Sequence, residues 1–358
     1  MPRELILLEP YKTAFRQLPD REPLAHEIKL RTLFSAISHG AEMRRYRGLL
    51  PHKVWDSELR LFDKEETGTK WPKTLGYENI SLVTAVGEQV ESVEPGSLVW
   101  LDAPHQEVSF ASREEIERGL IFKPHDPAYR DINPARFTFF VRTRVALGAV
   151  HDASIVLGER VAVIGVGVIG LIGIQLARLN GATEVYGVDL LPGRLDLAER
   201  FGAVAIDARK SDGARMIKEQ TGGVGVDVAL EVSGTSEGLH EAIRCCRIGG
   251  RVVTVGSFSG AAQHLYLGEE WLRNRITMLS SMTVNECPSR RYPGWDLKRL
   301  EEVTWALLKS GAVDVEPLIS HIVPFDEADK AYRMVDAADG EAIQVILWYD
   351  DTNTEGKS

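Results

Sequence analysis

Six consecutive residues, Gly165-Val166-Gly167-Val168-Ile169-Gly170, have the types and the spacing to hold a dinucleotide. They follow the apolar run Val161-Ala162-Val163-Ile164 and open a segment, Leu171 to Asn180, with a helical pattern. In such a turn the first glycine allows the tight bend, the second lets the backbone approach a pyrophosphate, and the third lets helix and strand pack closely. The phosphates then sit on the helix N-terminus. A second strand-like run, Glu184 to Val188, ends at Asp189, 19 residues beyond Gly170. An acid there accepts hydrogen bonds from the adenosine ribose hydroxyls and repels a 2′-phosphate, which favours NAD over NADP, while nearby Arg194 would soften that preference. Elsewhere His39, Tyr77, Glu78 and His105 offer imidazole, phenol and carboxylate, the groups that acid–base or metal chemistry uses.

Two kinds of scaffold must position these groups. Up to about Arg142 the chain reads as short β runs, such as Ile28 to Leu33, Ile80 to Val86 and Ser97 to Leu101, separated by turn residues. Beyond Arg142 apolar strands alternate with helices: Arg160 to Ile164, Ile169 to Asn180, Glu184 to Asp189, Arg194 to Phe201, then strands at Val226 to Val232 and Arg251 to Val255. That alternation implies βαβ units and an α/β fold with a doubly wound parallel sheet of the Rossmann type. After Ser280 a helix at Leu297 to Ser310 leads to Leu318 to Val323, Phe325 to Asp336 and a strand at Ala342 to Trp348, elements able to pair back with the β-rich part.

Composition narrows the function further. The chain has 358 residues, enough for two domains that each bury a core. Its formal charge of -10 would repel a polyanion, so no nucleic-acid partner is expected. Three cysteines, Cys245, Cys246 and Cys287, make neither a disulfide framework nor a CxxC pair, and a reducing, cytoplasmic setting is expected. The N-terminus lacks the charged and apolar blocks of a secretory signal, and the apolar stretch Val161 to Ala177 is too short to span a bilayer, so no membrane partner is expected either.

The whole chain resembles the medium-chain dehydrogenase/reductase superfamily, whose best-known members are zinc alcohol and polyol dehydrogenases. The resemblance is carried by Leu75-Gly76-Tyr77-Glu78, Glu94-Pro95-Gly96-Ser97-Leu98-Val99, the Gly165 to Gly170 turn, Glu231-Val232-Ser233-Gly234, Gly249-Gly250-Arg251-Val252-Val253 with Val255-Gly256, and Pro324-Phe325-Asp326-Glu327-Ala328. It implies a GroES-like catalytic domain from residues 1–142 and 281–358 and a Rossmann cofactor domain from residues 143–280. It also implies that Leu190, Val232, Ser233, Val255, Gly256 and Ser280 join the glycines, Asp189 and Arg194 around the cofactor. The stretch Arg273 to Leu279 resembles the edge strand through which subunits pair, so a homodimer or homotetramer is implied.

The departures from that pattern are chemical. Where zinc members carry a cysteine this chain has Ile37-Ser38-His39-Gly40-Ala41-Glu42, where they carry a histidine it has Tyr77, and where they carry a cysteine or acid it has Phe140. No cysteine precedes Cys245, so the four-cysteine structural lobe is missing too. No zinc is therefore expected, although a metal site made from His39, Glu78 and His105 stays open. Without a metal, the proton must move by general acid–base catalysis. Tyr77 occupies a ligand position and would relay a proton or merely fill the vacated volume; His105 follows a strand end where the family lines its substrate cleft; Glu78 matches the acid behind the metal. Arg142 and Arg144 read as hinge ion pairs or as cations for an anionic ligand. The function implied is NAD-dependent interconversion of a secondary alcohol, of a polyol, cyclitol or larger ring, and its carbonyl. The alternatives are a zinc-free enone or quinone reductase and a dinucleotide-binding protein without turnover.

Overall fold

The computed structural model describes all residues except 50–52, 67–68, 92, 125, 128–131, 259, 282–294, 338–341 and 351–358. The chain divides into two compact units, Met1–Thr138 with Ile319–Ala338 and Gln344–Ser358, and Phe139–Leu318 with Asp339–Ile343. The first unit opens with β1 (Arg3–Glu9), β2 (Lys12–Gln17), β3 (Glu27–Ala36), α1 (Ala41–Tyr46), β4 (Lys53–Asp56), β5 (Leu61–Glu66), β6 (Lys73–Thr74), β7 (Asn79–Val86), β8 (Leu98–Leu101), β9 (Val108–Ser112), α2 (Arg113–Gly119) and β10 (Leu120–Phe122). The second supplies α3 (Phe140–Ala153), β11 (Arg160–Ile164), α4 (Val168–Leu179), β12 (Glu184–Asp189), α5 (Pro192–Arg200), β13 (Val204–Asp207), α6 (Gly213–Gln220), β14 (Val226–Glu231), α7 (Ser236–Cys245), β15 (Cys246–Thr254), α8 (Glu270–Arg273), β16 (Thr277–Ser280) and α9 (Leu297–Ser310). The chain then returns to the first unit with β17 (Ile319–Pro324), α10 (Ala328–Ala337) and β18 (Gln344–Trp348).

In the first unit the main sheet runs β10-β8-β7-β3-β18-β17, and β9 also pairs with β3. Alternating side chains of β3, Ile28 and Leu30 among them, point inwards as the two-residue period of a strand requires, and pack with Val83, Val99, Leu101 and Ile116. The last strand is threaded beside this early one: Ile346 faces Ala36 and Trp348 faces Phe34 in an antiparallel register.

The second unit is a six-stranded parallel sheet in the order β13-β12-β11-β14-β15-β16. Val161, Ala162, Val163 and Ile164 of β11 are all buried, as expected for a central strand covered on both faces. The strand order reverses at β11, and at the carboxyl ends beside such a reversal open α/β sheets bind their ligands. The sheet is the α/β Rossmann architecture expected from the sequence.

Two expected boundaries are corrected. Residues up to 318 belong with the second unit, whereas the β-rich domain was expected to resume at 281. The reason is α9: Trp305 stacks on Phe140 of α3 with ring centroids 3.9 Å apart, and Glu301 pairs with the buried Arg144 of the same helix. Arg144 is thus a structural ion-pair residue. The edge strand, expected over Arg273 to Leu279, is β16 at Thr277–Ser280, because Arg273 ends the short helix α8 instead. Among the described residues no helix is long and apolar enough to cross a membrane.

Candidate active site

In the second unit the glycine turn is built as its spacing demands. Gly165 has φ +90°, and a Cβ on it would lie 2.7 Å from the Ser233 nitrogen. A Cβ on Gly170 would lie 2.2 Å from the Gly165 carbonyl oxygen, so the third glycine is what lets α4 approach the turn. Gly167 is the residue before α4 and has no side chain with which to cap it, which leaves first-turn N–H groups for an anion. Asp189, at the end of β12, accepts hydrogen bonds from the N–H groups of Val166 (2.8 Å), Leu190 (2.7 Å) and Leu191 (3.0 Å). Arg194 reaches to 3.8 Å from the same carboxylate. The N–H groups of Val232 and Ser233 bond the Ile164 carbonyl at 2.8 and 3.1 Å, and those of Val255 and Gly256 bond the Glu231 carbonyl at 2.7 and 3.1 Å. Ser280 ends β16 in register with Thr254. The expected cofactor residues therefore gather at the carboxyl ends of β11, β12, β14, β15 and β16.

Sequence reading noted Glu231 only as part of a family motif and gave it no role, although an acid inside the apolar run Val226 to Val232 was a signal. It is fully buried. Its Oε1 accepts from the Gly234 N–H at 3.0 Å and from the Ser233 hydroxyl, while its Oε2 has no hydrogen-bond partner. Burial pushes its carboxyl above the usual carboxylate range, against the opposing pull of the Ser233 and Gly234 donors.

In the first unit the polar residues assemble differently from the expectation. His105 is not on a solvent-lined loop: it is 0% exposed. Its carbonyl takes the Leu5 N–H of β1 at 2.8 Å and its N–H donates to the Leu75 carbonyl at 2.7 Å, which stitches it into the interior. Its Nε2 lies 3.0 Å from Oε1 of Glu42, and its Nδ1 lies 2.7 Å from the Ser35 hydroxyl, itself 2.8 Å from the Tyr349 hydroxyl. The Tyr332 hydroxyl donates to Glu42, and the N–H groups of Gly76 (3.0 Å) and Ser38 (2.8 Å) donate to its two oxygens. Burial raises the Glu42 carboxyl, but the charge and hydrogen bond of His105, the Tyr332 hydroxyl and the Ser38 N–H outweigh it and hold the group below the usual range. Burial and the Glu42 charge push the Tyr332 phenol well up.

Tyr77 and His39 are half-buried, and Glu78 is wholly buried at the foot of β7. His39 and Tyr77 each follow directly on a residue whose N–H Glu42 holds, Ser38 and Gly76. His39, Glu78 and His105 do not converge: among the described residues the one His/Cys/Asp/Glu group with ligand atoms mutually within 4.8 Å is His240, Glu269 and Glu270 of the second unit. Nor does the histidine suit a zinc ion, since both ring nitrogens of His105 face hydrogen-bond partners. Sequence reading missed Glu42 as a centre, and Ser35, Tyr332 and Tyr349 altogether. Tyr332 meets Glu42 across 290 positions, a separation that no local pattern reports.

Comparison with known proteins agrees with the fold and the turn. The profile of the family described as "Zinc-binding dehydrogenase" matches residues 168–302. D-guloside 3-dehydrogenase of Shigella flexneri is 31% identical over 92% of this chain and 95% of its own length, and D-xylulose reductase A of Aspergillus niger is 28% identical over 78% and 81%. The structure of alcohol dehydrogenase TADH from Thermus sp. ATN1 superposes with a TM-score of 0.74 at 23% identity, covering 97% of this chain and 100% of that one. Among structures of this fold, one from Sinorhizobium meliloti 1021 is bound to NADP and one from Escherichia coli CFT073 is complexed with NADH. The chain belongs to the zinc-binding dehydrogenase family of the medium-chain dehydrogenase/reductase superfamily. It is an oxidoreductase of the alcohol and polyol dehydrogenase kind, acting on CH–OH groups.

Proposed function

We propose that the protein is an NAD-dependent dehydrogenase that interconverts a secondary alcohol on a polyol, cyclitol or sugar ring with its carbonyl, and that it works without a catalytic zinc. The observation that supports the reading is the engagement of His105 by Glu42 and Ser35, which places a hydrogen-bond partner at both imidazole nitrogens in a buried polar network. The D-guloside and D-xylulose enzymes among the relatives support a carbohydrate or polyol substrate. Asp189, below the glycine turn, supports NAD.

Bound NAD supplies the hydride acceptor. On this reading Gly165, Gly167 and Gly170 cradle its pyrophosphate with the first turn of α4, and Asp189 holds the adenosine ribose. A zinc ion lowers the pKa of a bound water from 15.7 to about 7, and without that help the substrate hydroxyl must give up its proton to a side chain as hydride leaves. The Tyr77 hydroxyl relays that proton, accepting it as its own O–H proton passes on to solvent water, and in the reverse direction it donates to the carbonyl oxygen and is reprotonated by water; His39 stands beside the same carboxylate-held loops. We also propose a cytoplasmic homodimer or homotetramer joined through the open edge of β16; the buried, unpaired thiols of Cys245 and Cys246 suit a reducing compartment.

The test is to dialyse the protein against a chelator and follow NAD reduction over a panel of secondary alcohols, polyols, cyclitols and glycosides. Turnover that survives chelation supports the reading. Turnover lost to the chelator and restored by zinc refutes the zinc-free chemistry, and no turnover with any member points to a protein that binds dinucleotide without using it.

A further inference from the structure

We propose that Glu42 is a positioning residue: its buried carboxylate ties the loop that carries Tyr77 to the loop that carries His39, and thereby sets where the Tyr77 hydroxyl stands. This inference rests on the assignment of Tyr77 as the acid–base group.

The two loops meet on one side chain. Oε2 of Glu42 accepts the N–H of Ser38, the residue before His39, at 2.8 Å, and Oε1 accepts the N–H of Gly76, the residue before Tyr77, at 3.0 Å. Glu42 sits in α1, and the two loops lie before that helix and before β7. A carboxylate so nearly free of water, at 2% exposure, is costly unless its oxygens are satisfied. Here four donors converge on it, the other two being Nε2 of His105 at 3.0 Å and the Tyr332 hydroxyl.

The Tyr77 loop is held from its other side as well. Gly76 has φ +91°, and a Cβ on it would lie 2.5 Å from the His105 nitrogen and 2.7 Å from the ring Cγ, so the turn rests directly on His105. The His105 N–H also donates to the Leu75 carbonyl at 2.7 Å. The ring itself is fixed at both nitrogens: Nε2 lies 3.0 Å from Oε1 of Glu42 and Nδ1 lies 2.7 Å from the Ser35 hydroxyl, which also meets the Tyr349 hydroxyl. Leu75 and Gly76 are therefore pinned by His105 and Glu42 together, and Tyr77 is the next residue. A glutamine at position 42 keeps the shape but turns an NH2 towards one of two N–H groups, so one loop must let go.

The experiment measures kcat, KM and NADH affinity for the full-length protein and for Glu42→Gln, Tyr77→Phe and the double variant. A misplacement of about 1 Å costs on the order of 100-fold in rate. The expected result is that Glu42→Gln lowers kcat by about 10- to 100-fold with KM and NADH affinity unchanged, and adds little in the Tyr77→Phe background. Glu42→Asp, which keeps the charge but is one methylene shorter and cannot span both loops, loses kcat in the same way; it carries the test if the amide variant does not fold. If Tyr77→Phe retains full turnover, the acid–base assignment fails and the inference with it. If Tyr77→Phe loses turnover while Glu42→Gln keeps it, or the two losses multiply, the assignment stands and the positioning role is overturned.

Discussion

Nε2 of His105 stands 3.0 Å from Oε1 of Glu42, and the two side chains are 0% and 2% exposed. Removing either partner would leave the other's polar atoms unsatisfied in the interior, a cost of about 1–3 kcal/mol for each buried group left without its partner. The contact is as much a stability element as a chemical one, and its pH dependence has a definite sign.

Glu42 is held below its ordinary value of 4.5, by interactions that outweigh its burial. A depressed carboxyl contributes stability that is complete above the unfolded-state value and is lost as pH falls through the folded one. Melting curves from pH 7 down to pH 3 should therefore show the wild-type protein losing its advantage over Glu42→Gln below about pH 4.5. A gap between the two that stays constant across that window would contradict the assignment.

Glu231 has the opposite sign. Its carboxyl is raised above the ordinary 4.5, by burial first, so the stability it adds is present below that value and lost as pH rises through the folded one. Glu231→Gln keeps the acceptor that serves Ser233 and Gly234 and removes a charge whose second oxygen has no partner. Its melting temperature at pH 8 should exceed that of the wild type by roughly 2–4 °C, for about 1 kcal/mol, and the gain should vanish at acid pH. Destabilisation at pH 8 would show that the charge itself is needed.

Asp189 holds three N–H groups, and on the proposed reading it also holds the adenosine ribose. Asp189→Asn removes the repulsion towards a 2′-phosphate and leaves Arg194, 3.8 Å away, to attract it. The ratio of kcat/KM for NADP to that for NAD should rise about 10-fold or more, in line with one lost or gained charged contact. An unchanged ratio would place cofactor discrimination elsewhere.

Two glycines separate backbone strain from steric contact. Gly76 and Gly158 have φ of +91° and +101°, but a Cβ on Gly76 would meet His105 at 2.5 Å whereas one on Gly158 would meet nothing within 4 Å. Gly158→Ala should cost about 1–2 kcal/mol, the left-handed backbone penalty alone. Gly76→Ala should cost about 3 kcal/mol or more and abolish turnover, as denaturant unfolding and a rate assay would report. Equal costs would mean that the Gly76 turn moves off His105 freely.

What the sequence made legible was local. The glycine turn, its strand and helix, and Asp189 lie within the 30 residues from Arg160 to Asp189, and their order alone defined the Rossmann sheet. What it hid was joined across the chain. His105 looked like a loop histidine because its partners Glu42 and Ser35 stand 63 and 70 positions away. The domain limit was misplaced because an amphipathic helix such as α9 does not announce which core it covers; the stacking of Trp305 on Phe140 settles it.

The pairing of β18 with β3 bears on biosynthesis. The side-chain amide of Gln344 donates to the Ile37 carbonyl at 2.9 Å and the Tyr349 hydroxyl meets Ser35 at 2.8 Å, so the network around His105 closes only with residues made 307 and 314 positions after their partners. The parallel sheet, whose strands and helices run uninterrupted from α3 to β16, has all its parts earlier. A nascent chain stalled before residue 344 would therefore hold every strand of the parallel sheet while the main sheet of the first unit still lacked the strand that lies between β3 and β17.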